Sequence, residues 1–312
     1  MKRSKSFALA GSLVAALTVV ACVAYCNGCG GDTTSGTGGA MTGGGPTTGG
    51  TVTGAASGAT DTAAGAAAAG ATGYTVVDVT NGGTIKGTVK FDGAIPALPD
   101  IPVSKNPEYC GAAIPNHRLV VDKATMALAD TIVYLSDIHA GAKLDEPPAD
   151  AKVDQLKCEY HPHVQVVPVG TKMSMVNSDD VLHNIHAYSI EGKDIFNFGM
   201  PSKGMVISNA KTTFTAPGLY QLKCDAGHVW MNAYIFVKAH PYVAVTGADG
   251  TFTFTNVPPG TYTLKAWHAG WVANVGPDAK TVDYSPPVER ETKVEVKTGA
   301  EATTEIKIGG AA

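Results

Sequence analysis

Cys224-Asp225-Ala226-Gly227-His228-Val229-Trp230-Met231 is the stretch on which the fold turns. It lies between two runs of strand character: Gly218 to Cys224, which puts Tyr220, Leu222 and Cys224 on one face, and Asn232 to Val237. A thiolate, an imidazole and a thioether on one tight loop can converge on a single ion. Soft sulfur with imidazole suits copper, and two histidines, one cysteine and a weak axial methionine form the donor set of electron-transfer copper sites. One histidine is still needed, from another strand.

Asn177-Ser178-Asp179-Asp180-Val181-Leu182-His183-Asn184 supplies it. Together the two segments resemble the cupredoxin family, in which a strand ends in Asn-x-Asp and a ligand His-Asn follows. The resemblance covers roughly 131–238 and implies a Greek-key β-sandwich holding one copper ion. It carries His183, Cys224, His228 and Met231 over as ligands, and Asn184 as the residue that braces the cysteine loop. Two departures bear on it. The C-x3-H-x2-M spacing matches the second half of the binuclear copper loop of cytochrome oxidase subunit two, yet Tyr220 stands where that loop has its other cysteine. The implied centre is therefore mononuclear, and Met231 is open between ligand and core filler. Trp230, next to the axial position, is expected to shield the metal from water. His186, three residues beyond His183 on a strand, points to the opposite face and is expected to be structural or exposed, with a ligand or electron-entry role as the alternative.

Around this centre the chain has the texture of short strands and turns. Thr84 to Phe91 alternates and meets the turn Asp92-Gly93; Thr131 to Leu135, Val164 to Val169 and Thr171 to Val176 follow, the last with Met173 and Met175 on one face. From Tyr242 the character changes. Asp249-Gly250-Thr251-Phe252 and Val257-Pro258-Pro259-Gly260-Thr261-Tyr262 resemble the carboxypeptidase regulatory-like family of small transthyretin-type sandwiches. Its usual opening strand corresponds to Gly83–Val89, far upstream. The resulting expectation is an all-β chain with two sandwiches, the smaller one split around the metal-bearing one. In numbers, 74–130 holds the first strands of the split sandwich, 131–238 the cupredoxin domain and 239–312 the regulatory-like remainder. His240 and His268 fall at the edges of that remainder, where domain packing is expected.

Cys110 and Cys158 remain, and in an oxidising compartment such a pair is expected as a disulfide. The alternative is a second metal site at Cys158, His161 and His163.

The N-terminus indicates export. Lys2, Arg3 and Lys5 precede an apolar run from Phe7 to about Tyr25, the pattern of a signal peptide within 1–29. Val19-Val20-Ala21-Cys22 resembles a bacterial lipobox, with Cys29 as the alternative lipid acceptor. Cleavage after Ala24 without lipid, and an uncleaved anchor, are the other readings. Residues 30–73 contain 15 of the 37 glycines and two charges, too little apolar surface to offset ordering entropy, so a disordered tether is expected. The net charge is −4, and no basic cluster lies outside the first five residues, which argues against nucleic acid as a partner. The expected protein is a non-enzymatic one-electron carrier on the bacterial envelope, with an unidentified redox partner. The alternatives are copper storage, delivery or sensing, and a structural surface module with a vestigial metal site.

Overall fold

The computed structural model describes residues 73–309. The expected signal peptide, the alternative candidate lipid acceptors Cys22 and Cys29, and the expected tether up to residue 72 lie outside the described residues. Within them the chain is nearly all β, and its helices are a four-residue turn at Pro107–Cys110 and a 3-10 turn at Ala210–Thr212.

The half that carries His183, Cys224 and His228, the candidate metal-bearing half, is a sandwich. Its larger sheet runs Asp194–Met200, His183–Ser189, Gly218–Lys223, Asn232–Lys238, Val164–Pro168, antiparallel except for the last, parallel pair. The facing sheet runs Met205–Ile207, Ser174–Asn177, Lys152–Leu156, Glu159–His161. Period-two alternation turns Val153, Met175, Ile185, Ala187, Leu222, Ala233 and Ile235 inward, where they form one apolar cluster together with Met173. Each large apolar side chain removed from water there contributes on the order of 1.5–3 kcal/mol. The expected strand from Thr171 begins only at Ser174, because Thr171 closes a turn by donating its hydroxyl to the Pro168 carbonyl at 2.6 Å.

The second sandwich pairs a four-stranded sheet, Val243–Val245, Ile132–Leu135, Gly260–His268, Val288–Val296, with a three-stranded one, Thr251–Val257, Gly83–Asp92, Glu301–Gly309. Gly83–Asp92 sits in the middle of the latter, antiparallel to one neighbour and parallel to the other. Gly87 faces Phe252 across that ladder, and a Cβ there would overlap the ring.

Two boundaries need correction. Ile132–Leu135, expected at 131–135 as the start of the cupredoxin domain, belongs to the second sandwich, hydrogen-bonded between Val243–Val245 and Gly260–His268. Accordingly 239–312 is not a sandwich by itself: its sheets need both Gly83–Asp92 and Ile132–Leu135. All four residues of Ile132–Leu135 are buried, so its hydrophobic pattern carries no sign of which sheet it joins. The metal-bearing sandwich thus leaves the second one after Leu135 and returns at Val243.

The halves share a third apolar cluster. Alternate residues of Asn232–Lys238 divide between two cores: Ala233, Ile235 and Val237 face the metal-bearing interior, while Tyr234 and Phe236 face Ile132, Tyr134, Val243 and Trp267. Tyr234 meets Trp267 edge-on at 5.0 Å. That double coverage explains why six of the seven residues in this strand are buried.

His240 and His268 are also buried, 3% and 1% exposed. Burial lowers each from the ordinary histidine value of 6.5 to about 4, with Lys238 adding to the effect at His240. The unfolded chain therefore binds more protons between those values, and stability falls as pH falls from about 6.5 to about 4. At roughly pH 5 each histidine is expected to cost about 2 kcal/mol relative to neutral pH. Urea midpoints measured across this range should drop, and His268→Leu should flatten the profile. A slope unchanged by that variant would remove histidine neutrality as its cause.

Candidate metal centre

His183 opens its strand immediately after a loop held by Asn177. The Asn177 amide donates to the carbonyls of Val181 (3.0 Å) and Met200 (2.8 Å), and its oxygen accepts from the Asp179 N–H (3.0 Å). This turns the buried Asp179 carboxylate inward. It accepts from the N–H groups of Lys157 (2.8 Å) and Cys158 (2.7 Å), from the Tyr109 hydroxyl (3.2 Å), and from His183 Nε2 (2.9 Å). Burial pushes Asp179 up, but the bonds from His183, Cys158 and Lys157 outweigh it and hold the carboxyl below its usual range. A carboxylate only accepts, so His183 carries its proton on Nε2 and presents the Nδ1 lone pair to the interior.

The second loop brings in the other donors. Gly227, at φ 94°, makes the turn between Cys224 and His228 in a backbone region that favours glycine. His228 Nδ1 lies 3.2 Å from His183 Nδ1 and 3.7 Å from Cys224 Sγ. His183 and His228 are 0% exposed and Cys224 4%. Burial, with His183 and Lys105 nearby, lowers His228 to about 4, so it is neutral and able to ligate at ordinary pH. Burial pushes the Cys224 thiol up, and backbone hydrogen bonds from Ala226, Asn184 and His228 partly offset this. A cation in the centre would stabilise the thiolate.

These separations fit a single ion. Bonds of about 2.0–2.1 Å to imidazole and about 2.3 Å to thiolate span such gaps at angles of roughly 100–120°. Two imidazole nitrogens and one sulfur, all buried and facing one another, are a soft donor set of the kind that takes copper. Met231 is 2% exposed and its N–H bonds the His228 carbonyl at 2.9 Å, closing the loop around the trio.

The supporting residues are also in place. The Asn184 side-chain oxygen accepts from the Asp225 N–H at 3.0 Å, tying the histidine strand to the cysteine loop. Trp230 packs edge-on against His228 at 5.3 Å and donates its indole N–H to the Cys158 carbonyl at 2.9 Å. Cys110 and Cys158 form a disulfide. Cys158, His161 and His163 do not form a site: the sulfur is in that disulfide, His161 Nε2 faces the Leu156 carbonyl, and His163 lies against Asn232 and Arg118. His186 stands apart from the trio, between Asp225 and Asp194.

Arg118 was missed by the sequence reading. It is 9% exposed, donates to the Trp230 carbonyl at 2.9 Å and to the Asn232 side chain, and stacks 3.7 Å over the Tyr284 ring. A buried guanidinium thus anchors the back of the metal loop. It lies in an irregular stretch with no periodicity, and a lone arginine there carries no signal.

Carboxylate partners of ligand histidines fix the ring and raise its basicity, and losing one typically weakens metal binding about 10–100-fold. Asp179→Asn is expected to do so here, read by competition with a chromophoric chelator. An unchanged affinity would remove Asp179 from the support of the site.

Comparison with known proteins gives partial likenesses. The family model described as polysaccharide lyase family 4, domain II, an fn3-type domain, matches residues 208–304. That differs from the regulatory-like family that the turns of 239–312 resemble, and it spans less than half of the chain. No curated protein matches. Among solved structures, a purple cupredoxin from Nitrosopumilus maritimus is 27% identical over 28% of this chain and 100% of its own, with a TM-score of 0.25. A Cu-containing nitrite reductase from Thermus scotoductus is 30% identical over 31% of this chain and 24% of its own, at 0.24. A Cu(I) amicyanin variant is 23% identical over 30% and 87%, at 0.25. The structural similarity to cupredoxins is weak and confined to about three tenths of the chain.

Proposed function

We propose that this chain is an envelope-anchored mononuclear copper protein that carries single electrons, with His183, Cys224 and His228 as ligands and Met231 as a weak axial one. The observation that carries this reading is the buried trio, in which His228 Nδ1 lies 3.2 Å from His183 Nδ1 and 3.7 Å from Cys224 Sγ, so that three potential ligand atoms converge in one enclosed place. His228 Nε2 has no hydrogen-bond partner among the described residues, so the polar contacts of the ring are those of Nδ1 to the other two members of the trio. Copper in such a set supplies a Cu(I)/Cu(II) couple.

The chain's own residues supply the rest. Asp179 and Asn184 hold His183 and the cysteine loop in one geometry, which limits rearrangement between oxidation states. Burial of all three ligands excludes water and small substrates, in keeping with a carrier rather than an enzyme. The N-terminal lipobox would tether the protein to the envelope, where a redox partner protein would meet it. Copper storage, delivery or sensing is the second reading, favoured by one observation: a disulfide lies beside His228.

The test is the visible and EPR spectrum of the Cu(II)-loaded protein. An intense thiolate-to-copper band is expected in the wild type, lost in Cys224→Ser and strongly reduced in His183→Ala. Stoichiometric copper without that band would sink the electron-carrier reading, and no copper binding at all would leave a structural module.

A further inference from the structure

Cys158 touches the supports of both ligand histidines. Its N–H bonds Asp179, which holds His183, and its carbonyl accepts from Trp230, which packs on His228. Its sulfur, that of Cys110 and a ring nitrogen of His228 all lie within 4.8 Å of one another. As a disulfide, the two sulfurs are poor ligands; as thiolates they would be strong ones for Cu(I).

Both cysteines are held in place independently of the S–S bond. Cys158 keeps its two backbone bonds. Cys110 ends the Pro107–Cys110 turn, where its N–H bonds the Asn106 carbonyl at 2.9 Å. The neighbouring Tyr109 hydroxyl donates to Asp179 at 3.2 Å and accepts from the Asp180 N–H at 3.0 Å, fastening that turn to the ligand loop. Cys110 is half-buried and Cys158 fully buried, so an attacking thiolate reaches Cys110 first.

We propose that the Cys110–Cys158 disulfide is a latent Cu(I) site, which forms with His228 when the bond is reduced and adjoins the His183–Cys224–His228 set. The reductant is an external dithiol. Its thiolate attacks Cys110 Sγ, the Cys110–Cys158 bond breaks, and Cys158 leaves as a thiolate. The second thiol of the reductant then resolves the mixed disulfide and frees Cys110. Two electrons and two protons pass to the cysteine pair, and the reductant ends as its own disulfide. His228 is common to both sets, so copper held by the first has a neighbouring all-soft destination only under reducing conditions. This deepens the copper reading toward delivery and rests on it.

The experiment uses the full chain as Cys224→Ser, reduced with a dithiol that is then removed anaerobically. Cu(I) is titrated against a chromophoric chelator, and copper-bound sulfur is counted by X-ray absorption. The reduced variant is expected to take up Cu(I) with two sulfurs, the oxidised variant to take up none in this mode, and a further Cys110→Ser change to abolish the gain. Equal Cu(I) uptake by oxidised and reduced protein would overturn the proposal. So would loss of the far-UV circular dichroism on reduction, because the thiol set requires the fold. Failure of the underlying copper reading is separate: it shows as no Cu(II) binding by the oxidised wild type.

Discussion

The Asp179 carboxylate accepts from donors on three separate segments: the Lys157–Cys158 turn, Tyr109 and His183. Desolvating a charge is expensive unless hydrogen bonds replace its water, and here four do. The rest of the metal-bearing half is arranged around that requirement. Asn177 turns the carboxylate inward, the cysteine turn supplies N–H groups, and the histidine receives a fixed tautomer as a result. The orientation of the His183 ring is thus a by-product of satisfying one buried anion.

The same logic governs the other side of the centre. The Trp230 carbonyl accepts from both Arg118 and the Tyr284 hydroxyl, while its indole reaches Cys158. Tyr284 belongs to the long excursion between strands of the second sandwich, so that sandwich contributes directly to how the metal loop is seated. The two halves are joined by more than the apolar contact of Trp267 with Tyr234.

Much of this was legible in the residues. The three candidate ligands sit on two short segments with local spacing, which a single chain displays without knowledge of the fold. The all-β class followed from alternation and turn residues, and the cysteine pairing from a count. Ile132–Leu135 was assigned to the wrong half because a strand buried on both faces has no polar side to orient it. Arg118 was invisible for a different reason: its partners Trp230, Asn232 and Tyr284 lie more than a hundred residues away, and its own neighbourhood has no repeating pattern. Asp179 was quoted within a motif, but its four-fold acceptance depends on a turn brought near only by folding.

The antiparallel ladder of Ile132–Leu135 with Val243–Val245 has a kinetic consequence. Its strands are separated by the whole metal-bearing sandwich, and closing so long a loop is entropically slow when the intervening chain is unstructured. If that sandwich folds first, its ends emerge close together, and the ladder then closes as though across a short hairpin. Assembly of the outer sandwich is in this way contingent on the inner one, and a chain that had failed to build its metal-bearing core would leave Ile132–Leu135 as an unpaired, wholly apolar strand exposed to proteases and to aggregation.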